Sequence, residues 1–85
     1  MTDKVKREQI YENLLEILSE DLSVSTSDIT PDFKLRDGLQ FDSLELYSFV
    51  IDVEERYDIK ISDELIDKVD TMNDLVNIVD ELINT

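Results

Sequence analysis

In a chain of 85 residues with no cysteine and no histidine, the residue that stands out for chemistry is Ser43, in the run Phe41-Asp42-Ser43-Leu44-Glu45. Without those two residue types the chain has no thiol of its own and lacks the usual base for activating a serine. Such a serine suits an attachment point better than a nucleophile. It sits where a loop gives way to a strongly patterned helix. Aspartate and serine are favoured at helix starts simply because they satisfy free backbone N–H groups, and the pattern alone asks for no more. The positive end of a helix also stabilises an anion such as a phosphodiester. A hydroxyl at the first helical position points away from the core, so an attached phosphate would sit over the free N–H groups.

The elements that position this serine follow from periodicity. A first helix is expected from about Lys4 to Ser19, with Asp3 as N-cap and Ile10, Tyr11, Leu14, Ile17 and Leu18 on one face. Residues 20–41 read as a long ordered connection, broken up by Ser23, Ser25, Thr26, Ser27, Pro31 and Gly38. Leu22, Val24, Ile29, Phe33, Leu35, Leu39 and Phe41 can pin it to a helical core. A connection this long in so small a domain is often functional. A second helix is expected from Asp42 or Ser43 to about Tyr57, with Asp42 as N-cap and Glu45 three residues on, as in a capping box. A short helix from Ser62 to about Asp67 follows, capped by Ser62. The last helix should span Met72 to Ile83, with Thr71 as cap, Asp74 in its first turn, and a buried stripe of Leu75, Val76, Val79, Leu82 and Ile83. Ile59-Lys60-Ile61 alternates but is too short for a strand. The expected fold is all-α: a small antiparallel bundle of three longer helices and one short one, with a long loop between the first two.

The helix after Ser43 carries two apolar faces. Leu46, Phe49, Val50, Val53 and Tyr57 cluster as a core stripe. Leu44, Tyr47 and Ile51 form a narrower stripe roughly opposite, flanked by Glu45, Asp52, Glu54 and Glu55. Burial on all sides would explain two stripes, but the flanking acids need solvent or partners. An apolar patch edged by charge is typical of a docking surface.

Composition narrows the partners. The chain is long enough for one domain, residues 1–85, with no room for a second core. Twenty-two acidic residues against 8 basic ones give a net charge of -14. That charge disfavours nucleic acid and anionic membranes and favours basic protein surfaces met in fast, salt-sensitive encounters. Lacking cysteine, the chain forms no disulfide. The first residues lack the apolar core of a signal peptide, and no stretch approaches a membrane span, so a cytoplasmic monomer is expected. An acidic adaptor or calcium-binding domain is a competing class. No loop has the EF-hand order of ligands, however, and Asp32 and Asp37-Gly38 stand apart from such a pattern. A hydrolase lacks any visible triad.

Taken together, these residues resemble the acyl carrier proteins over nearly the whole chain. The resemblance rests on Asp42-Ser43-Leu44, on the stretch Val50-Ile51-Asp52-Val53-Glu54-Glu55-Arg56-Tyr57-Asp58-Ile59-Lys60-Ile61-Ser62-Asp63-Glu64, and on Thr71-Met72-Asn73-Asp74-Leu75. It implies that the protein is not an enzyme. It implies that Ser43 carries a 4′-phosphopantetheine arm, added from coenzyme A by a phosphopantetheinyl transferase that recognises Asp42 and Leu44. Acyl cargo would then ride on the arm's thiol, which explains why the chain itself needs no cysteine. By the same resemblance Asp42 helps hold the transferase's magnesium ion, and the carrier holds no metal of its own. Leu44, Glu45, Tyr47, Ser48, Ile51, Asp52 and Glu55 are the expected docking residues for acyl-transferring and synthase enzymes with basic surfaces. Two departures stand out. Many fatty-acid carriers have a glutamate where this chain has Ser48, and a small pair where it has Gln40-Phe41. Fatty acid biosynthesis is the expected pathway. A specialised carrier of a polyketide, amino-acyl or D-alanyl group is the alternative.

Overall fold

A computed structural model describes residues 6–84 of the chain. Five helices follow one another: α1 (Arg7–Asp21), α2 (Leu35–Leu39), α3 (Ser43–Tyr57), α4 (Asp63–Asp67) and α5 (Met72–Ile83). No strand forms among the described residues, and Ile59-Lys60-Ile61 is an irregular connection whose Ile61 is buried. No helix among them is long and apolar enough to cross a membrane.

The three long helices bury the expected faces. Ile10, Leu14, Ile17 and Leu18 of α1, Leu46, Phe49, Val50 and Val53 of α3, and Met72, Leu75, Val76 and Val79 of α5 share one core. Tyr11 sits at its edge and donates from its hydroxyl to the Ile29 carbonyl at 2.9 Å, and burial raises the phenol's pKa. Tyr57 and Ile83 are half-buried, whereas Leu82, expected in the α5 stripe, is 39% exposed. The stripe of α5 closes instead through Met72 at its first turn. α1 starts at Arg7 and runs two residues past the expected Ser19. The expected cap Asp3 and start Lys4 lie outside the described residues.

Helix ends follow local chemistry. Thr71 and Asp74 form a full capping box, with Thr71 Oγ1 accepting from Asp74 N at 3.2 Å and Asp74 Oδ2 accepting from Thr71 N at 3.0 Å. Ser62 Oγ accepts from Leu65 N at 3.3 Å. Asp58 ends α3 in the left-handed region that Asn and Asp tolerate best, at φ 55°.

The long connection differs from expectation in one respect: it contains the one-turn helix α2. The loop is pinned along its length. Leu35 N donates to Asp70 O at 2.8 Å, Met72 N to Phe33 O at 3.0 Å, and Asn73 N to Pro31 O at 2.9 Å. These bonds tie the loop to the turn before α5 and so fix where α2, and the serine beyond it, must lie. Ile29 and Leu35 are buried, and Leu22, Val24, Phe33, Leu39 and Phe41 pack against the core from the edge.

Gly38 interrupts nothing, because it sits inside α2. Its job is close approach. A Cβ built there would stand 2.6 Å from two ring carbons of Phe33. Alanine is normally the better helix former by about 1 kcal/mol. Here Gly38→Ala should nevertheless lower the melting temperature, because it displaces a ring packed on the core, and overpacking costs about 1–3 kcal/mol. Combining it with Phe33→Leu should cost less than the two changes separately. A Gly38→Ala protein that melts above wild type would refute this contact.

Candidate functional site

The site is built at the start of α3. Gln40 turns the chain through the left-handed region at φ 56°, and its N–H and that of Phe41 both meet the Arg36 carbonyl, the latter at 3.1 Å. This tight exit from α2 half-buries the Phe41 ring against the core. The bulk that the sequence puts near Ser43 is thereby partly turned away from the surface. Asp42 caps α3, with Oδ1 accepting from Glu45 N at 2.8 Å. The reciprocal half of a capping box, from Glu45 back to Asp42 N, is not made.

Ser43 is the first residue of α3 and is exposed. Of the first N–H groups of the helix, Glu45 N meets Asp42 Oδ1 and Leu46 N meets Asp42 O at 3.1 Å. Those of Ser43 and Leu44 find no acceptor among the described residues and open outward beside the serine hydroxyl. A phosphate ester on Ser43 Oγ would therefore meet two free donors at the positive helix end. These features fit a phosphorylated prosthetic group. Histidine, the usual general base for turning such a hydroxyl into a nucleophile, is absent from the chain.

Along α3 the expected docking residues separate into three sets. At about 100° per residue, Leu44, Ser48, Ile51 and Glu55 fall on one ridge. All four are exposed, with Leu44 at 77% and Ile51 at 50%. Glu45 is exposed but stands about 90° round the helix from the middle of the ridge, on the same side as Asp52. Tyr47 is displaced to one side, half-buried, and lines an open groove of about 500 Å³ with Val50, Ile51, Ile61 and Ile66. Asp52 is displaced to the other side, half-buried toward α1. Its pKa is raised, chiefly by burial and then by the charges of Asp21 and Glu55. Glu54, expected to flank the docking stripe, has a structural role. Its Oε2 accepts from Ile61 N at 2.6 Å, while its carbonyl accepts from Ile59 N at 3.0 Å, so one residue holds the connection that leads to α4.

Sequence reasoning missed that groove. Its walls come from α3, α4 and the connection between them, and residues 59–61 were read only as a failed strand. The signal available was the apolar pair Ile61 and Ile66 facing an apolar stripe on α3. A second groove, about 460 Å³, lies elsewhere, between α1, Pro31 and the start of α5, and shares no residue with the ridge. No group of acids or other ligand residues among those described is arranged to hold a metal ion.

A helical bundle that offers a free hydroxyl on a helix start, beside an exposed ridge, suits carrying a group rather than transforming it. Comparison with known proteins agrees. The acyl-carrier family model matches residues 6–83. An acyl carrier protein of Thermotoga maritima is 36% identical over 75 residues, covering 88% of this chain and 93% of the relative. One from an Exiguobacterium species is 39% identical over 70 residues, covering 82% and 89%. Among solved structures, a Thermotoga maritima acyl carrier protein superposes with a TM-score of 0.83 at 26% identity, over 92% of this chain and 91% of that one. The actinorhodin holo acyl carrier protein of Streptomyces coelicolor shares the fold at a TM-score of 0.65 and 23% identity, over 99% and 96%. The chain belongs to the acyl-carrier family. It is a carrier and not a catalyst.

Proposed function

We propose that the chain acts as one acyl-carrier domain, residues 1–85, which tethers acyl intermediates as thioesters on a 4′-phosphopantetheine arm at Ser43. The observation that carries this reading is the exposed Ser43 hydroxyl beside the unpartnered N–H groups of Ser43 and Leu44. A phosphopantetheinyl transferase would read Asp42 and Leu44. The Asp42 carboxylate is bound to Glu45 N through Oδ1, and Oδ2 would remain for the transferase's magnesium. Acyl-transferring enzymes with basic surfaces would grip the ridge of Leu44, Ser48, Ile51 and Glu55, with the exposed Glu45 to one side of it. The charge of -14 suits such partners and a cytoplasmic monomer.

Fatty acid biosynthesis is the pathway this reading favours. α3 rises about 1.5 Å per residue, so Tyr47 stands about 6 Å and Ile51 about 12 Å along the axis from Ser43. The groove they help line therefore begins one turn from the arm and has apolar walls in Val50, Ile61 and Ile66, alongside the charged Glu54, Lys60 and Asp63. A growing alkyl chain gains by leaving water for such a wall, whereas a charged amino-acyl group does not. The second reading, a specialised carrier, is favoured by Ser48, which leaves the middle of the docking ridge uncharged.

The experiment is intact mass of the expressed protein to identify its acyl load, then NMR of alkyl-loaded and amino-acyl-loaded forms. An alkyl thioester should shift the signals of Val50, Ile61 and Ile66. Signals that ignore the alkyl chain, or an amino-acyl load found on the expressed protein, would favour the specialised carrier.

A further inference from the structure

The groove beside Tyr47 has helical backbone on every side but one. Tyr47, Val50, Ile51 and Glu54 belong to α3, and Asp63 and Ile66 to α4. Lys60 and Ile61 lie in the irregular connection between the two helices. Ile61 is nevertheless buried, at 5% exposure, and is one of the three apolar walls with Val50 and Ile66. A wall carried by irregular backbone has to be held in place by something outside helical bonding.

Glu54 supplies that hold. Its carbonyl accepts from both Asp58 N and Ile59 N, the latter at 3.0 Å, which closes α3. Its side chain goes further along the chain: Oε2 accepts from Ile61 N at 2.6 Å. A short bond from a backbone N–H to a carboxylate is of the stronger, charge-assisted kind. Beyond Ile61 the bonds belong to α4 itself, with Ser62 Oγ accepting from Leu65 N and Ser62 O from Ile66 N. Among the described residues, the Glu54 carboxylate makes the one side-chain hydrogen bond from α3 to residues 59–62. We propose that Glu54 is a positioning residue for cargo: its carboxylate latches Ile61 in place as a wall of the groove, and an alkyl group tethered at Ser43 is sheltered there only while the latch is closed. The inference rests on the carrier reading and deepens it, because it names the residue that shapes the site for apolar cargo.

The physical argument has two parts. An alkyl chain gains free energy in proportion to the apolar surface that covers it, so a wall that swings away returns the chain to water. Irregular segments with few bonds open locally at much lower cost than the helices around them, so one strong bond decides how often this wall is in place. Glutamine offers an amide oxygen at the same reach as the carboxylate and can accept from the same N–H, as a neutral and weaker partner. Alanine has no acceptor at all.

The test is NMR on the full chain as wild type, Glu54→Gln and Glu54→Ala, each without cargo and with an octanoyl thioester on the arm. Without cargo, the Ile61 amide of Glu54→Ala should exchange with deuterium about tenfold faster than that of wild type, as the loss of a bond to a charged group implies. Exchange at Val79, in the core, should rise by a smaller factor, since core amides open only with the whole domain. The octanoyl group should shift the signals of Ile61 and Ile66 in wild type. That response should be largely lost in Glu54→Ala and largely recovered in Glu54→Gln, which a merely destabilised fold would not produce. An Ile61 amide as protected in Glu54→Ala as in wild type would overturn the latch, and so would a loss of protection matched at Val79. An octanoyl response of wild-type size in Glu54→Ala, or one no better in Glu54→Gln than in Glu54→Ala, would leave the groove as the cargo site and remove Glu54 from its shaping. A wild type whose signals ignore the octanoyl group would instead overturn the alkyl-cargo reading, and this inference with it.

Discussion

Incubated with coenzyme A, magnesium and a broad-specificity phosphopantetheinyl transferase, the protein should gain one phosphopantetheinyl group, and Ser43→Ala should gain none. The other helix-start hydroxyls are spoken for: Ser62 Oγ accepts from Leu65 N and Thr71 Oγ1 from Asp74 N. Ser43 differs because it follows its cap instead of being it. Asp42 takes the capping bond, so the Ser43 hydroxyl stays free while the N–H groups around it stay open. Ser48 is exposed too, but in mid-helix, with no free donors beside it, so Ser48→Ala should be modified normally. Because the cap survives in Ser43→Ala, its melt should stay close to that of wild type. Asp42→Asn separates two further roles. Asparagine caps about as well as aspartate, so stability should hold. If Asp42 shares the transferase's magnesium, the rate of modification should nevertheless fall. An adduct on another residue of the Ser43→Ala protein would remove Ser43 as the assigned site.

What could be read from the sequence was what depends on neighbours a few residues apart. Asp42, Ser62 and Thr71 cap where the pattern put them, because capping is decided within one turn. The faces of α1 and α3 were legible because a 3.6-residue period survives any tertiary arrangement. Gly38 was misleading for the opposite reason. Its place in α2 depends on a ring five residues upstream and on bonds from 31–35 to 70–73, and local propensity contains neither. Leu82 fits the α5 stripe by spacing, yet it remains 39% exposed, because spacing alone does not say what packs against a helix end. Asp52 and Glu54 looked alike as acids flanking an apolar stripe. Which one meets a backbone N–H and which one is half-buried near the charges of Asp21 and Glu55 depends on where the α3–α4 connection and α1 lie, and so only the packed structure separates them.

Paired variants on α3 should separate its two apolar faces sharply. Phe49 is fully buried at the centre of the core, and truncating such an aromatic to alanine costs about 3–5 kcal/mol. A domain of this length has about 4–13 kcal/mol to lose, so Phe49→Ala should be severely destabilised or unfolded. Ile51 is half exposed on the ridge. Its removal leaves no closed cavity, and Ile51→Ala should cost well under about 1 kcal/mol. Its effect should appear in transfer to a partner enzyme, where an exposed apolar side chain at the centre of a ridge becomes buried. Charge reversal at Glu55, exposed on the same ridge, or at Glu45, exposed to one side of it, should leave stability nearly unchanged, slow association and reduce its dependence on salt, because charges near an interface steer encounter more than they hold the complex. Ser48→Glu adds a charge at the middle of the ridge. It should strengthen binding to a general fatty-acid synthesis enzyme if the uncharged ridge is what limits recognition there. The measurements are thermal melts and transfer kinetics on the same protein samples, so that a loss of transfer in a folded variant is not confused with unfolding. If Ile51→Ala transfers acyl groups as well as wild type while remaining folded, the ridge is not where partners grip, and docking must be sought elsewhere on the bundle even with Ser43 carrying the arm.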